Sequence, residues 1–143
     1  MTYKFKLFAL TLSLIVMSSC QTKNEKTTPM ATAGTFKIAI LYPNGEGATF
    51  NMDYYETQHM PMVAGFLGDN LIGYEIEKGI GGRTPNDPVP FLAIGYFYVQ
   101  DLAAYDQAIG EHIDTIVGDF KNYTNIQPTI QKSEIQQVIP TKK

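Results

Sequence analysis

The sequence has no tryptophan and a single cysteine, Cys20, so no disulfide can form within one copy of the chain. Only 17% of the residues are charged, the formal net charge is −3, and no block of like charge occurs. A chain of this kind has no basic surface for a nucleic-acid backbone, so we expect no nucleic-acid partner. The 143 residues suffice for one domain of ordinary size and not for two.

Sequence signatures of common cofactor and catalytic sites are also absent. No Gly-x-Gly-x-x-Gly pattern leads from a strand into a helix, and no Gly-x-Ser-x-Gly pattern occurs. A nicotinamide site and a hydrolase nucleophile therefore lack support. The two histidines, His59 and His112, fall on separate predicted helices without a third Cys or His, which makes a metal site weak. We expect neither a cofactor nor a metal.

Long hydrophobic runs are limited to the N-terminus. Lys4 and Lys6 precede an apolar run over 7–17, which is too short for a stable membrane span and is followed by two serines and Cys20. Residues 1–19 are predicted to be a lipoprotein-type signal peptide, with Cys20 as the lipid acceptor and a bacterial cell-envelope location. The protein would then contact the membrane through its N-terminal lipid only. An ordinary signal peptide, cut elsewhere and leaving Cys20 free, is the alternative.

The remaining residues divide into a tether and one domain. Residues 20–34 are rich in Thr and Lys without apolar periodicity, which is typical of a flexible tether. The domain is predicted over 35–138. Its hydrophobic periodicity predicts strands over 35–42, 71–78, 91–99 and 126–138, a helix over 51–67 and a second helix that Asp101 caps. The apolar stripe predicted on the second helix consists of Leu102, Tyr105, Ile109, Ile113 and Ile116. The order β-α-β-β-α-β is that of the α+β ferredoxin-like fold, in which the first and third strands are central.

The predicted strand 91–99 indicates that the domain associates with a second copy of itself. Phe97 and Val99 alternate with Ile94, Tyr96 and Tyr98, so this strand is apolar on both faces. The two helices can cover only one face of a four-stranded sheet. An apolar face of that size is unfavourable in water, so we expect a homodimer in which two sheets face each other.

The one hint of chemistry lies in the helix predicted over 51–67. His59 falls in the middle of its apolar face, one turn after Tyr55, and Pro61 is expected to kink the helix beside it. A histidine can exchange a proton near neutral pH, and a phenol beside it could hold a ligand. The alternatives are a core histidine bonded to a carbonyl freed by the kink, and a tyrosine that only packs. His112 lies at the margin of the second helix, where it either lines the pocket or faces solvent.

Several short runs along the domain form a recognisable set: Leu41-Tyr42-Pro43, Asp53-Tyr54-Tyr55, His59-Met60-Pro61, Ala93-Ile94-Gly95 and Asn122-Tyr123-Thr124. With these runs the chain resembles the EthD family of dimeric α+β barrel proteins over about residues 36–135. The resemblance implies a ferredoxin-like fold, a dimer, and a pocket between each sheet and its helices. Members are commonly labelled oxidoreductases.

Together these residues predict a cofactor-independent enzyme that acts on a small hydrophobic ring or carbonyl compound, and the resemblance implies that it is of the oxidoreductase type. His59 would shuttle the proton, Tyr55 would position the substrate, and His112 would be a second group. The abundance of aromatic residues, nine Tyr and eight Phe, suits such a ligand. The alternative functions are an envelope-tethered module that binds a small hydrophobic molecule without chemistry, and a mere scaffold.

Overall fold

A computed structural model describes residues 31–139. The predicted signal peptide, Cys20 and most of the predicted tether lie outside the described residues. Four antiparallel strands form one sheet in the order β2-β3-β1-β4, so the first and third strands are central as predicted. This arrangement confirms the ferredoxin-like α+β fold. The elements are β1 (Phe36–Pro43), α1 (Met52–Tyr54), α2 (Met60–Leu67), β2 (Leu71–Lys78), β3 (Phe91–Val99), α3 (Leu102–Asp119) and β4 (Thr129–Glu134).

The last strand is shorter than the predicted range 126–138. Strand β4 begins at Thr129, directly after Pro128, and ends at Glu134. Proline has no N–H for the sheet ladder, which keeps the residues before it out of the strand. Residues 126–128 instead form a connection, in which the backbone N–H of Ile126 donates to Oγ1 of Thr124 at 3.0 Å.

The helical segment between β1 and β2 is interrupted beside His59, as the position of Pro61 predicts. A π-helical turn, Tyr55–His59, joins α1 to α2, and the N–H of Met60 bonds to the carbonyl of Tyr55. Pro61 cannot make the ordinary bond to the carbonyl four residues earlier, so a widened turn directly before it is tolerated. As a result Tyr55, His59 and Met60 are all buried on the face towards the sheet.

Helix α3 begins at the predicted cap, where Oδ1 of Asp101 accepts a hydrogen bond from the N–H of Ala104 at 2.8 Å. Its predicted apolar stripe is only partly covered. Tyr105 and Ile116 are buried, whereas Ile113 between them is 44% exposed. Helix α3 therefore leaves space above the sheet along part of its length.

The sheet face away from the helices carries the predicted apolar strip. Side chains of Ile94 and Tyr96 on this face are half-buried, and Tyr98 is buried. The Tyr98 hydroxyl donates to Glu75 at 2.9 Å and the Tyr96 hydroxyl donates to Glu77 at 3.2 Å, so carboxylates border the strip along β2. Within residues 31–139, no helix is both long enough and apolar enough to cross a membrane.

Candidate active site

A cavity of about 220 Å³ lies between the sheet and the helices, where α3 stands away from the strands. Most of its wall is aliphatic or aromatic, and its polar groups come from a histidine, three tyrosines and one glutamine. An apolar cavity with few polar groups is the usual form of a small-molecule site. The wall includes Ile40, Tyr42, Tyr55, His59, Met60, Val63, Phe97, Tyr105, Ile109, Ile113, Ile116, Val117, Phe120, Gln127, Pro128 and Ile130.

His59 is fixed on both sides of its ring. The residue is 4% exposed. Its Nδ1 lies 2.8 Å from Oδ2 of Asp119, and its Nε2 lies 3.2 Å from the hydroxyl of Tyr123. The Tyr55 ring stacks on the imidazole with centroids 5.6 Å apart and an interplanar angle of 17°. These contacts hold the ring at the cavity wall in a single orientation.

Asp119, at the end of α3, is itself held by two further donors. Its Oδ1 accepts from the Tyr54 hydroxyl at 2.8 Å and from Nδ2 of Asn122 at 2.7 Å. Burial by itself would raise the pKa of Asp119, but the hydrogen bonds from His59, Asn122 and Tyr54 outweigh it and lower that pKa below 3.8. Asp119 is therefore a carboxylate at neutral pH.

Burial lowers the pKa of His59 below its ordinary value of 6.5, and the hydrogen bond to Asp119 offsets this only in part. The imidazole is therefore neutral near pH 7. Because a carboxylate has no hydrogen to donate, the ring proton lies on Nδ1 and Nε2 carries the lone pair. In that form His59 is a base, and the imidazolium formed by taking a proton would lie against the Asp119 carboxylate.

Two tyrosines extend this chain of hydrogen bonds towards the sheet. The hydroxyl of Tyr123 lies 2.9 Å from the hydroxyl of Tyr42, which stands on β1 and lines the cavity. Tyr123 is positioned by its backbone, since its carbonyl accepts from the N–H of Asn51 at 2.7 Å. Burial raises the pKa of both phenols well above the ordinary value of 10.0, so both stay protonated at neutral pH.

The position of Tyr55 depends on a glycine in the central strand. Its hydroxyl lies directly against Gly95 of β3, and a Cβ at that position would overlap the phenolic oxygen. Burial raises the pKa of Tyr55 above 10.0, so this hydroxyl also stays protonated. A glycine at residue 95 therefore leaves room for the Tyr55 phenol against the sheet.

The structure brings two of the three predicted site residues together. His59 and Tyr55 both line the cavity, but His112 is absent from its wall. The His112 ring instead stacks on Phe66 with centroids 3.9 Å apart. Its predicted role as a second proton-transfer group stays a prediction without support from this geometry.

Sequence reasoning missed the groups that hold His59. Asp119 is not distinguished by any local pattern, and no local pattern indicates that the Tyr54 hydroxyl would hold it. Tyr42 and Tyr123 appear in the runs that resemble the EthD family, and those runs were the available signal. Among residues 31–139, no group of three or more His, Cys, Asp and Glu residues is placed to hold a metal ion.

Comparisons with known proteins place the chain in a family. No protein-family model matches the sequence, and no curated protein matches it. Among solved structures, an EthD-like protein from Ralstonia eutropha is 38% identical with a TM-score of 0.68, covering 72% of this chain and 93% of that one. An ethyl tert-butyl ether D (EthD) family protein from Bacillus halodurans is 18% identical with a TM-score of 0.52, covering 70% and 97%, and shows the same fold. With this fold and this identity to the Ralstonia protein over nearly the whole domain, the chain belongs to the EthD-like family.

Proposed function

We propose that this protein is a cofactor-independent, oxidoreductase-type enzyme that acts on a small hydrophobic ring or carbonyl compound, with His59 as the proton-transfer group. One observation carries the proposal: a buried, neutral histidine, paired with a carboxylate, stands in the wall of an otherwise apolar cavity. Buried histidine–carboxylate pairs in clefts are candidates for acid–base chemistry. The oxidoreductase class follows from the family resemblance.

The cavity wall supports the substrate class. Its volume of about 220 Å³ admits a compact molecule, and its aliphatic and aromatic side chains favour an apolar ring. Polar groups gather where Tyr42, Tyr55 and His59 meet, so one oxygen of the ligand would be held there. Tyr55, which lines the cavity and whose hydroxyl lies against Gly95 of β3, is the group that we expect to position it.

The electrostatics of His59 suit removal of a proton from such a ligand. Because its lone pair lies on Nε2 at neutral pH, the ring can accept a proton, and Asp119 stabilises the resulting charge. A positioned general base of this kind contributes roughly 10²–10⁴ in rate. Returning the proton to the ligand restores neutral His59, and this proton transfer by itself neither oxidises nor reduces the ligand.

A homodimer is part of the proposal. The half-buried strip on the open sheet face includes Leu41 and Ile94, paired across β1 and β3, and the helices of the same chain lie on the opposite face. Lys37 lies over the Tyr96 ring at 3.6 Å, and with Glu75 and Glu77 it gives the strip a charged border. An apolar centre with a polar rim is the ordinary form of an interface between subunits.

We also propose that the protein is lipid-anchored in the bacterial cell envelope. This proposal depends on the N-terminal pattern that ends at Cys20, which lies outside the described residues. Mass spectrometry of the full-length protein recovered from the membrane fraction of a bacterial host should show a shortened chain with a lipid on Cys20. The Cys20→Ser variant should lack the lipid. An unmodified Cys20 in the native protein would contradict the anchor.

The alternative function is an envelope-tethered module that binds a small hydrophobic molecule without chemistry. One observation favours it: both ring nitrogens of His59 are occupied by Asp119 and Tyr123, as in a structural histidine. Native mass spectrometry of the full-length protein, purified without added ligand, would show whether a bound compound accompanies it. A compound recovered chemically unchanged after incubation supports the binding module.

Exchange of ketone protons for deuterium tests the proton-transfer step of the proposed enzyme. The full-length protein is incubated in heavy water with cyclohexanone or 2-indanone, and loss of the protons next to the carbonyl is followed by NMR. We expect catalysed exchange from the wild type and a loss of about 10²-fold or more in His59→Gln. No exchange by the wild type, or undiminished exchange by a folded His59→Gln, would overturn the proposal.

A further inference from the structure

The hydrogen bonds of His59 raise a difficulty for direct proton transfer. Nδ1 is 2.8 Å from Asp119 and Nε2 is 3.2 Å from the Tyr123 hydroxyl, so each ring nitrogen already has a protein partner. A ligand in the cavity therefore meets the ring without reaching an unoccupied nitrogen. A proton that passes between His59 and the ligand must travel through another group.

Tyr123 and Tyr42 form a continuous path from His59 to the cavity, and we call this pair the hydroxyl relay. Their hydroxyls are 2.9 Å apart, and Tyr42 belongs to the cavity wall. Tyr42 is 1% exposed and Tyr123 is 3% exposed, so bulk water does not compete for these hydrogen bonds. The path therefore begins at the Asp119 carboxylate and ends at Tyr42 in the cavity wall.

The protonation state of His59 sets the direction of every hydrogen bond in the relay, because each hydroxyl has a single hydrogen. When His59 is neutral, Tyr123 donates to Nε2 and Tyr42 donates to Tyr123, which leaves Tyr42 an acceptor towards the cavity. When His59 is protonated, Nε2 donates to Tyr123 and Tyr123 donates to Tyr42. Tyr42 then turns its own hydrogen towards the cavity as a donor.

We propose that Tyr42 is the catalytic residue that exchanges a proton with the ligand, and that Tyr123 relays the transfer between Tyr42 and His59. The ligand is then an apolar ring with one acidic hydroxyl group, or with one carbonyl group and acidic protons next to it. In this role His59 and Tyr123 act through Tyr42. The inference rests on the proposed function, since it takes His59 as the group that stores the proton.

The proposed proton transfer balances in atoms and charge. The ligand gives a proton to Tyr42, Tyr42 gives its own to Tyr123, and Tyr123 gives its own to Nε2 of His59. Three bonds to hydrogen break and three form, no electrons change hands, and the result is a ligand anion and an imidazolium beside the Asp119 carboxylate. The reverse transfer returns the proton to the ligand, so no co-reactant is required.

The groups around the relay favour transfer without a charged tyrosine. Besides Asp119, the titratable groups packed on His59 and the relay are Tyr54, Tyr55 and the two relay phenols. Burial raises the pKa of both relay phenols, which keeps a tyrosinate from accumulating at neutral pH. The protons therefore move together along the chain.

Binding of 4-nitrophenol to the full-length protein, followed by nitrogen NMR of the His59 ring, tests the relay without any need for turnover. The phenol is a ring with one acidic hydroxyl and an absorbance that reports its ionisation. In the wild type we expect binding to raise the titration midpoint of His59, because a phenolate at Tyr42 favours the imidazolium. Tyr123→Phe and Tyr42→Phe should still bind the phenol, but binding should no longer move the His59 midpoint.

Tyr74→Phe provides the matched control, because Tyr74 lies on β2 outside the cavity wall and is 37% exposed. This variant should keep the full coupling between phenol binding and His59. Coupling that survives in Tyr123→Phe would overturn the relay in favour of direct contact, and a wild type that does not bind the phenol would overturn the ligand class. If a Tyr→Phe variant fails to fold, 3-fluorotyrosine can replace Tyr42, because it keeps the hydroxyl. It should change the size of the shift that phenol binding produces in the His59 midpoint. An unchanged shift would also overturn the relay.

Ketone exchange separates this inference from the proposed function. Tyr42→Phe and Tyr123→Phe should each lose about 10-fold or more of the wild-type exchange rate. Exchange that depends on His59 but not on either tyrosine keeps the proposed function and overturns the relay. Coupling of His59 to phenol binding without any ketone exchange keeps the relay and overturns the enzyme.

Discussion

The carboxylate of Asp119 lies 2.8 Å from Nδ1 of His59, although 60 positions separate the two residues in the chain. One residue ends α3 and the other ends the π-helical turn before α2. Burial keeps His59 neutral, and this contact fixes its ring proton on Nδ1. Without it, the same ring would be a buried histidine with no control over which nitrogen holds the proton.

The first prediction concerns this pair. Asp119→Asn keeps the shape of the side chain but replaces an acceptor by an amide that can donate to Nδ1, which favours the wrong tautomer of His59. We expect ketone exchange to fall by about 10²-fold or more. Asp114→Asn on the exposed side of the same helix is the control and should retain the wild-type rate. Equal rates in Asp119→Asn and the wild type would separate the carboxylate from the chemistry.

The second prediction is a loss of stability in mild acid. Because the pKa of folded His59 lies below 6.5, the unfolded chain binds a proton there first, and the free energy of unfolding falls as pH drops from 6.5 through the folded-state pKa. The contribution of neutral His59 is fully present above that window. Asp119 adds a second loss below pH 3.8, since its folded pKa is lowered from that value.

Urea unfolding at stepped pH values measures this dependence. The His59→Gln variant removes the titrating ring, so the loss of stability just below pH 6.5 should be smaller in it than in the wild type. The comparison uses the slope with pH, because the substitution also changes the stability at neutral pH. An unchanged slope would place the acid sensitivity at other groups.

The third prediction tests the close contact between Gly95 and Tyr55. In Gly95→Ala the new methyl group would overlap the Tyr55 hydroxyl and also crowd Met60, whose sulfur would lie 3.3 Å from the added carbon. We expect unfolding to require about 1–3 kcal/mol less than in the wild type, with reduced ligand binding. Gly110→Ala within α3 meets open space and should stabilise the fold by about 0.5–1 kcal/mol. Equal stability of the two variants would show that Tyr55 moves aside freely.

The fourth prediction addresses the dimer. Ile94→Glu places a charge in the apolar strip of the open sheet face, and burying an unpaired charge costs about 3–5 kcal/mol. Sedimentation analysis should show a dimer for the wild type and a monomer for this variant. Ile80→Glu, in a loop where the side chain is 96% exposed, should remain dimeric. A dimeric Ile94→Glu would move the interface to another surface.

The fifth prediction concerns His112. Since its ring stacks on Phe66 with centroids 3.9 Å apart and takes no part in the cavity wall, His112→Gln should mainly lower stability, by about 0.5–1.5 kcal/mol. Thermal unfolding and ketone exchange are measured on the same preparation. A strong loss of ketone exchange in a stable His112→Gln variant would instead support the role of His112 as a second group in the site, which the sequence predicted.

The periodicity of apolar residues, together with a cap and a proline, determined the main features of the fold. Strands β2 and β3 have the predicted bounds, Asp101 caps α3, and Pro61 interrupts the helix beside His59. These features are local, because each depends on residues a few positions apart whose periodicity or backbone geometry is readable from the sequence. The same reasoning placed His59 and Tyr55 on a buried face.

Only the tertiary structure decided how that face works. Asp119, Tyr123 and Tyr42 reach His59 from the end of α3, the connection after it and β1, and no local pattern links residues so far apart. It also decided that His112 packs on Phe66, because its place at the margin of a helix face allowed either outcome. The sequence determined which side chains point inwards, and the packing of α3 against the π-helical turn decided which of them meet.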